Sequence, residues 1–116
     1  MIKDTENSEH YTWGNACDGW HLVQSSSLSI IQEKMPPGAS ENVHYHEVAQ
    51  QFFFILKGHA TFEVNGTTYD VRAGQGFHIR PKQKHRIVNN SNEPLEFIVT
   101  SEPKSHGDRI DLPSLS

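Results

Sequence analysis

Turn-forming residues punctuate this chain so often that the intervals between them have strand length, and no window of about a dozen residues sustains the 3.6-residue apolar period of a helix. Gly14, Gly19, Pro36-Pro37-Gly38, Gly58, Asn65-Gly66, Gly74, Gly76, Pro81, the polar stretch 89–94 and Pro103 mark it off. The segments 27–35, 43–46, 52–57, 60–64, 67–71, 77–79, 85–89 and 95–100 are rich in β-branched and aromatic residues. Each reads as a strand, so an all-β barrel or sandwich is the expected class. The plainest hairpin is 60–71, where Asn65-Gly66 supplies the positive φ angles of a type I′ turn.

One of these segments does not alternate. Residues 52–56 are apolar at every position, Phe-Phe-Phe-Ile-Leu, which predicts that both faces of the strand lose water. One face is expected inside; the other is expected against a second sheet or a second subunit. With 116 residues there is room for one domain. Residues 1–26 form an N-terminal segment and residues 102–116 a C-terminal tail; both are polar, and each is read as either loose or contributing an added edge strand.

Charge and cysteine usage remove several classes of function. The formal net charge is -4 with neutral histidines, and Lys and Arg do not cluster, so the electrostatic footprint of a nucleic-acid binder is missing. Residues 1–10 are polar and acidic, and the longest strongly apolar run, 52–56, falls far short of the ~20 residues that span a membrane. A soluble protein with no targeting signal and no membrane partner is expected. Cys17 is the single cysteine, which forbids an intrachain disulfide, fits a reducing cytoplasm and rules out thiolate-rich metal sites. Nothing beside it in sequence would activate the thiol, so it reads as an ordinary buried or half-buried side chain.

Eight histidines are many for this length, and two of them are spaced for chemistry. In a strand, His44 and His46 share a face because side chains alternate with period two, and their imidazoles can converge on one point. Imidazole nitrogen suits Fe, Mn, Ni, Cu and Zn. The pair stands in a longer pattern: Gly38, five residues, His44-x-His46, four residues, Gln51, six residues, Gly58. A second pattern follows: Gly74, five residues, Arg80-x-Lys82, two residues, His85, three residues, Asn89. Together they resemble the two motifs of the cupin superfamily, in particular the small single-domain RmlC-like cupins of the Cupin-2 type. Gln51 stands where the family usually has Glu, and Arg80 and Lys82 where it usually has Pro and Gly.

The resemblance covers about residues 32–100 and implies a double-stranded β-helix, the cupin jelly-roll barrel, over residues 27–101. Carried across position by position, it implies one divalent transition metal ion on His44, His46, Gln51 and His85. An amide at 51 leaves the ion its full charge, favouring an anionic substrate or hydroxide as a further ligand; alternatively Gln51 does not ligate and three histidines leave an open face. Glu47 follows His46 directly and points to the other face, so it does not replace the missing carboxylate. His78 and Arg80 share a parity near the barrel mouth and are read either as contacts to an anionic group or as a solvated strand end. His59 reads as a surface residue; His10, His21 and His106 lie where the path of the chain is not legible. Phe53, Phe62 and Phe77 read as core, as do Trp13 and Trp20. Residues 105–109 are polar enough for a flap over a cavity or simply a loose end.

Cupins host many reactions, so fold does not fix chemistry. Three functions follow from these residues: a metal-dependent enzyme (a dioxygenase, isomerase or related) acting on a small polar or anionic molecule, a non-catalytic cupin that binds or senses a small ligand, or a purely structural role. No catalytic acid or base is identifiable beyond the histidines. A homodimer formed across the outer face of Phe52, Phe54 and Leu56 is expected in each case.

Overall fold

The computed structural model describes residues 1–105 and 107–113. His106 therefore lies outside the described residues, as does the end of the tail. Eleven strands follow in chain order: β1 (Glu9–Trp13), β2 (Cys17–Gln24), β3 (Ser29–Met35), β4 (His44–His46), β5 (Gln50–Lys57), β6 (His59–Val64), β7 (Thr67–Arg72), β8 (Gly76–Ile79), β9 (His85–Val88), β10 (Leu95–Glu102) and β11 (Arg109–Asp111). The described residues contain no helix, and so none that is long and apolar enough to cross a membrane. The eight segments singled out by composition are β3 to β10. Between β6 and β7 the turn residues Asn65 and Gly66 have φ of 48° and 83°, as the Asn-Gly pair requires.

Every pairing is antiparallel. Six strands form one sheet in the order β1-β2-β3-β10-β5-β8, and five form the other in the order β11-β4-β9-β6-β7. The inward positions of both sheets meet in a core that includes Met35, Ile55, Phe62, Ile79, Ile87, Leu95 and Phe97, all buried. The jelly roll is as expected; the closed barrel is not. Among the described residues no ladder of hydrogen bonds joins one sheet to the other, so the architecture is two facing sheets with free edges at β1, β8, β11 and β7. Prolines at 36, 37 and 81 sit where the chain passes between strands, and a residue without an N–H cannot continue a ladder.

Strand β5 alternates in burial although not in composition. Gln51, Phe53 and Ile55 are buried, while Phe52, Phe54 and Leu56 are 45%, 39% and 38% exposed. The outer face therefore meets no second sheet of this chain, which corrects one of the two expectations for it. Two elements came from the ends. The β1–β2 hairpin adds to the edge of β3, and the short β11 pairs with β4. Both lie beside the cavity described next.

Candidate functional site

The site is assembled by register. His44 on β4 is the direct cross-strand partner of His85 on β9, which sets their ring centroids 4.3 Å apart. His46 lies two residues along β4 on the same face, 5.2 Å from His44 and 5.9 Å from His85. Each of the three offers a ring nitrogen, and these nitrogens all lie within 4.8 Å of one another. All three residues are buried, at 2%, 5% and 1% exposure.

Backbone carbonyls fix two of the rings. Nδ1 of His44 bonds the Asn42 carbonyl and Nδ1 of His85 the Gln83 carbonyl, each at 2.8 Å. A carbonyl can only accept, so Nδ1 carries the proton and Nε2 presents its lone pair. Nε2 of His85 is buried with no hydrogen-bond partner, and so is Nδ1 of His46. Burial drives the imidazole of His44 down to about 3, with His85 beside it adding to the fall. It drives His85 down to about 4, and it lowers His46 as well. Neutral imidazoles with unused lone pairs fit a transition metal ion, which needs that protonation state.

Gln51 approaches from the facing sheet. Its register partner on β10 is Ser101, and its amide nitrogen donates to the Ser101 hydroxyl at 3.0 Å. The amide oxygen Oε1 is left buried with no partner. An orphaned buried acceptor is costly, of order 1–3 kcal/mol, unless something fills its place. It lies on the same cavity, of about 570 Å³, as His44 and His46.

Several residues of that cavity had no role in the sequence reading. Tyr11, Glu33 and Glu41 line it, together with Trp13 and His21, and Arg109 joins them from the polar stretch 105–109 that was read as a flap or a loose end. Tyr11, Gly19 and Glu33 are successive register partners across β1, β2 and β3. A Cβ on Gly19 would stand 2.3 Å from Cζ of Tyr11, so the glycine leaves the space through which the phenol crosses toward Glu33. Burial, with Glu41 nearby, raises the Glu33 carboxyl to about 8. Burial likewise raises Glu41 to about 7, against the pull of the Arg109 guanidinium 3.6 Å away. Parity could have exposed Glu33, since it shares a strand face with Ile31 and Met35; Tyr11 and Arg109 depend on the pairing of the two ends, which no pattern announces.

The remaining sequence candidates fall elsewhere. His78 and Arg80 are exposed on the outside, because Ile79 between them takes the inward position. Nε2 of His78 bonds Oε1 of Gln50 at 2.9 Å instead of reaching the cavity. His59 and Glu47 are exposed as expected. Phe53 and Phe62 are core, and Phe53 also borders the cavity. His10 bonds Asp18 at the surface, 5.3 Å from Trp20. Burial pushes the Cys17 thiol up to about 11, so it is inert. Ser105, Gly107 and Arg109 border the cavity, so part of the polar tail covers it.

Comparison with known proteins agrees with this geometry. The family model described as Cupin_2, cupin domain, matches residues 31–101. An uncharacterised protein of Methanocaldococcus jannaschii is 30% identical over 89 residues, covering 76% of this chain and 71% of that protein. An oxalate-binding protein of Thermotoga maritima is 35% identical over 84 residues, covering 68% of this chain and 69% of that one. Among solved structures, a predicted oxalate decarboxylase from Thermotoga maritima superposes with a TM-score of 0.82 at 23% identity, covering 90% of this chain and all of the other.

Proposed function

The chain belongs to the cupin-domain family, and from that premise we propose that it is a metal-dependent enzyme that acts on a small polar or anionic molecule held in the cavity between its sheets. The observation that carries this reading is the set of three buried imidazoles whose free nitrogens lie within 4.8 Å of one another. In this reading His44, His46 and His85 hold one divalent transition metal ion, and the buried, unpartnered Oε1 of Gln51 is a fourth ligand. Such an ion would supply Lewis acidity toward a bound oxygen atom.

This chain's own residues do the rest. The Asn42 and Gln83 carbonyls hold two imidazoles in the ligating tautomer. Phe53, Ile87, Phe97 and Val99 keep water away from one side of the cavity. Glu33 and Tyr11 stand within the same cavity and give it a group able to accept or return a proton, which the histidines held by metal cannot do. A second reading, a cupin that binds its ligand without turning it over, is favoured by the 35% identical relative that carries the name of an oxalate-binding protein.

We also place the protein in a reducing compartment, the cytoplasm, since its one thiol is buried and unpaired. The exposed stripe of Phe52, Phe54 and Leu56 forms a homodimer contact in this reading. A purely monomeric sedimentation profile at micromolar concentration would refute the dimer. The metal reading is tested by mass spectrometry of untagged protein. About one equivalent of Fe, Mn, Ni, Cu or Zn, lost in His44→Ala and weakened in Gln51→Ala, is expected. A protein that takes up no ion even after reconstitution sinks it.

A further inference from the structure

The charges that line the cavity narrow what it can admit. Among the described residues bordering it, Arg109 is the one side chain with a permanent positive charge. It is already engaged: Nη1 lies 3.6 Å from Oε2 of Glu41, and Nε lies 2.8 Å from Oδ1 of Asp111. Glu33 faces the same space without any ion pair. The lining thus contributes carboxylates and no cation that is free of a partner.

The unpartnered polar atoms point the same way. Oε1 of Gln51, on a side chain 7% exposed, has no hydrogen-bond partner, and as a fourth ligand to the ion it leaves Glu33 as the acceptor that faces the bound molecule. Nε1 of Trp13, a buried donor, and Nδ1 of His21 have no partner on the same wall, so one acceptor group on the ligand also has a place there. The carboxylates add more acceptors, and Phe53, Ile87 and Val99 supply apolar surface between them. Acceptors of this kind match hydroxyl groups, whereas above the pH near 8 at which Glu33 ionises a second carboxylate on the ligand would meet its charge in a region with little water to screen it.

We infer that the cavity is built for a small hydroxylated molecule with at most one negative charge, whose hydroxyl donates to Glu33, in preference to a dianion of equal size. The inference rests on the metal reading above, because the ion would anchor either kind of ligand through paired oxygens, and it narrows that reading's substrate class. The raised carboxyl of Glu33 is consistent with it, since burial and Glu41 already make one further negative charge unfavourable there. Tyr11, Glu41 and Arg109 are the titratable or charged groups that face Glu33 from β1, the segment before β4 and β11.

Oxalate and glycolate test it, because both have two carbons and chelate through two oxygens, yet one carries two carboxylates and the other a carboxylate and a hydroxyl. Titration calorimetry on the metal-loaded protein at about pH 8.5, above the value to which Glu33 is pushed, gives both dissociation constants. Each is referred to the same ion's affinity for that anion in water. Relative to water, the protein should shift the preference toward glycolate by about tenfold or more, and Glu33→Gln should return most of that shift while keeping its metal. Glu33→Gln is isosteric and removes no ion pair, so it should fold; circular dichroism and metal content check this. If metal-loaded protein keeps the aqueous preference for oxalate, or if Glu33→Gln leaves the ratio unchanged, the selection by charge is overturned. Failure to take up metal at all is read separately, from metal content, and overturns the metal reading together with this inference.

Discussion

Asn89 shows how much one buried amide can organise at the margin of the site. Its Nδ2 donates to the carbonyls of Met35 at 3.1 Å and Glu93 at 2.8 Å, and its Oδ1 accepts from the Ser91 hydroxyl at 2.7 Å and the Ser91 amide at 3.2 Å. The residue is fully buried. It ties the end of β3 to the turn before β10, and so holds in register the sheet from which Glu33 and Gln51 face the histidines. Truncation would strand two carbonyls in the core. Asn89→Ala is therefore expected to cost about 3 kcal/mol, read as a shift of the urea midpoint with an unchanged slope. A loss below about 0.5 kcal/mol would mean that water replaces the amide and that the network is not structural. The second motif made Asn89 visible as a position, but only the structure gave its work.

At the scale of elements, what was legible is what depends on short range. Turn residues and composition located β3 to β10, and the His-x-His period located two of the three imidazoles. The third, His85, was legible through its motif, and its meeting with His44 follows from a β4–β9 pairing that no local signal encodes. For β1, β2 and β11 the sequence left a loose end and an added edge strand equally open, because residues such as His10, His21, Arg109 and Asp111 are polar; there the pairing of each strand with its neighbours overrides propensity. The β11 segment also has a clasp. The Asp108 carboxylate accepts from the amides of Glu47, Val48 and Ala49 at 3.0, 3.1 and 2.8 Å. Desolvation alone would raise that carboxyl, but the amide donors outweigh it and hold it below its ordinary value. Without the clasp, β11 keeps its three-residue ladder to β4, the Leu112 amide bond to the Val43 carbonyl and the Arg109–Glu41 pair to hold Arg109 over the cavity. Asp108→Ala is expected to destabilise the protein by about 1 to 2 kcal/mol and to speed amide exchange at Val48 and Ala49 well beyond that at β6. Uniform acceleration across both sheets would show that Asp108 matters globally instead of clasping this element.

At the scale of the whole molecule, two sets of buried groups pull stability in opposite directions with pH. His44, His46 and His85 have folded values below 6.5, so the unfolded chain binds more protons than the folded one beneath that pH. Their contribution is present above pH 6.5 and is lost as pH falls. Glu33 and Glu41 are raised from 4.5 to about 8 and about 7, so the folded chain holds the extra protons. Their contribution is present below pH 4.5 and is lost as pH rises through those values. Between pH 4.5 and 6.5 three histidines oppose two carboxyls; above 6.5 the carboxyls act alone. The metal-free protein should therefore be most stable near pH 6.5, with a melting temperature that declines toward about pH 9. Glu33→Gln should flatten the alkaline decline and steepen the rise between pH 4.5 and 6.5, where its carboxyl no longer opposes the histidines. A melting temperature that holds steady from pH 6.5 to about 9 in the wild type, or an equal decline in Glu33→Gln, would show that Glu33 is not buried enough to matter. Metal should reshape the same curve, since a bound cation favours the ionised carboxylates and needs the unprotonated imidazoles. Loading is thus expected to move the optimum to higher pH, whereas an ion bound at exposed carboxylates elsewhere on the surface would leave the alkaline decline in place.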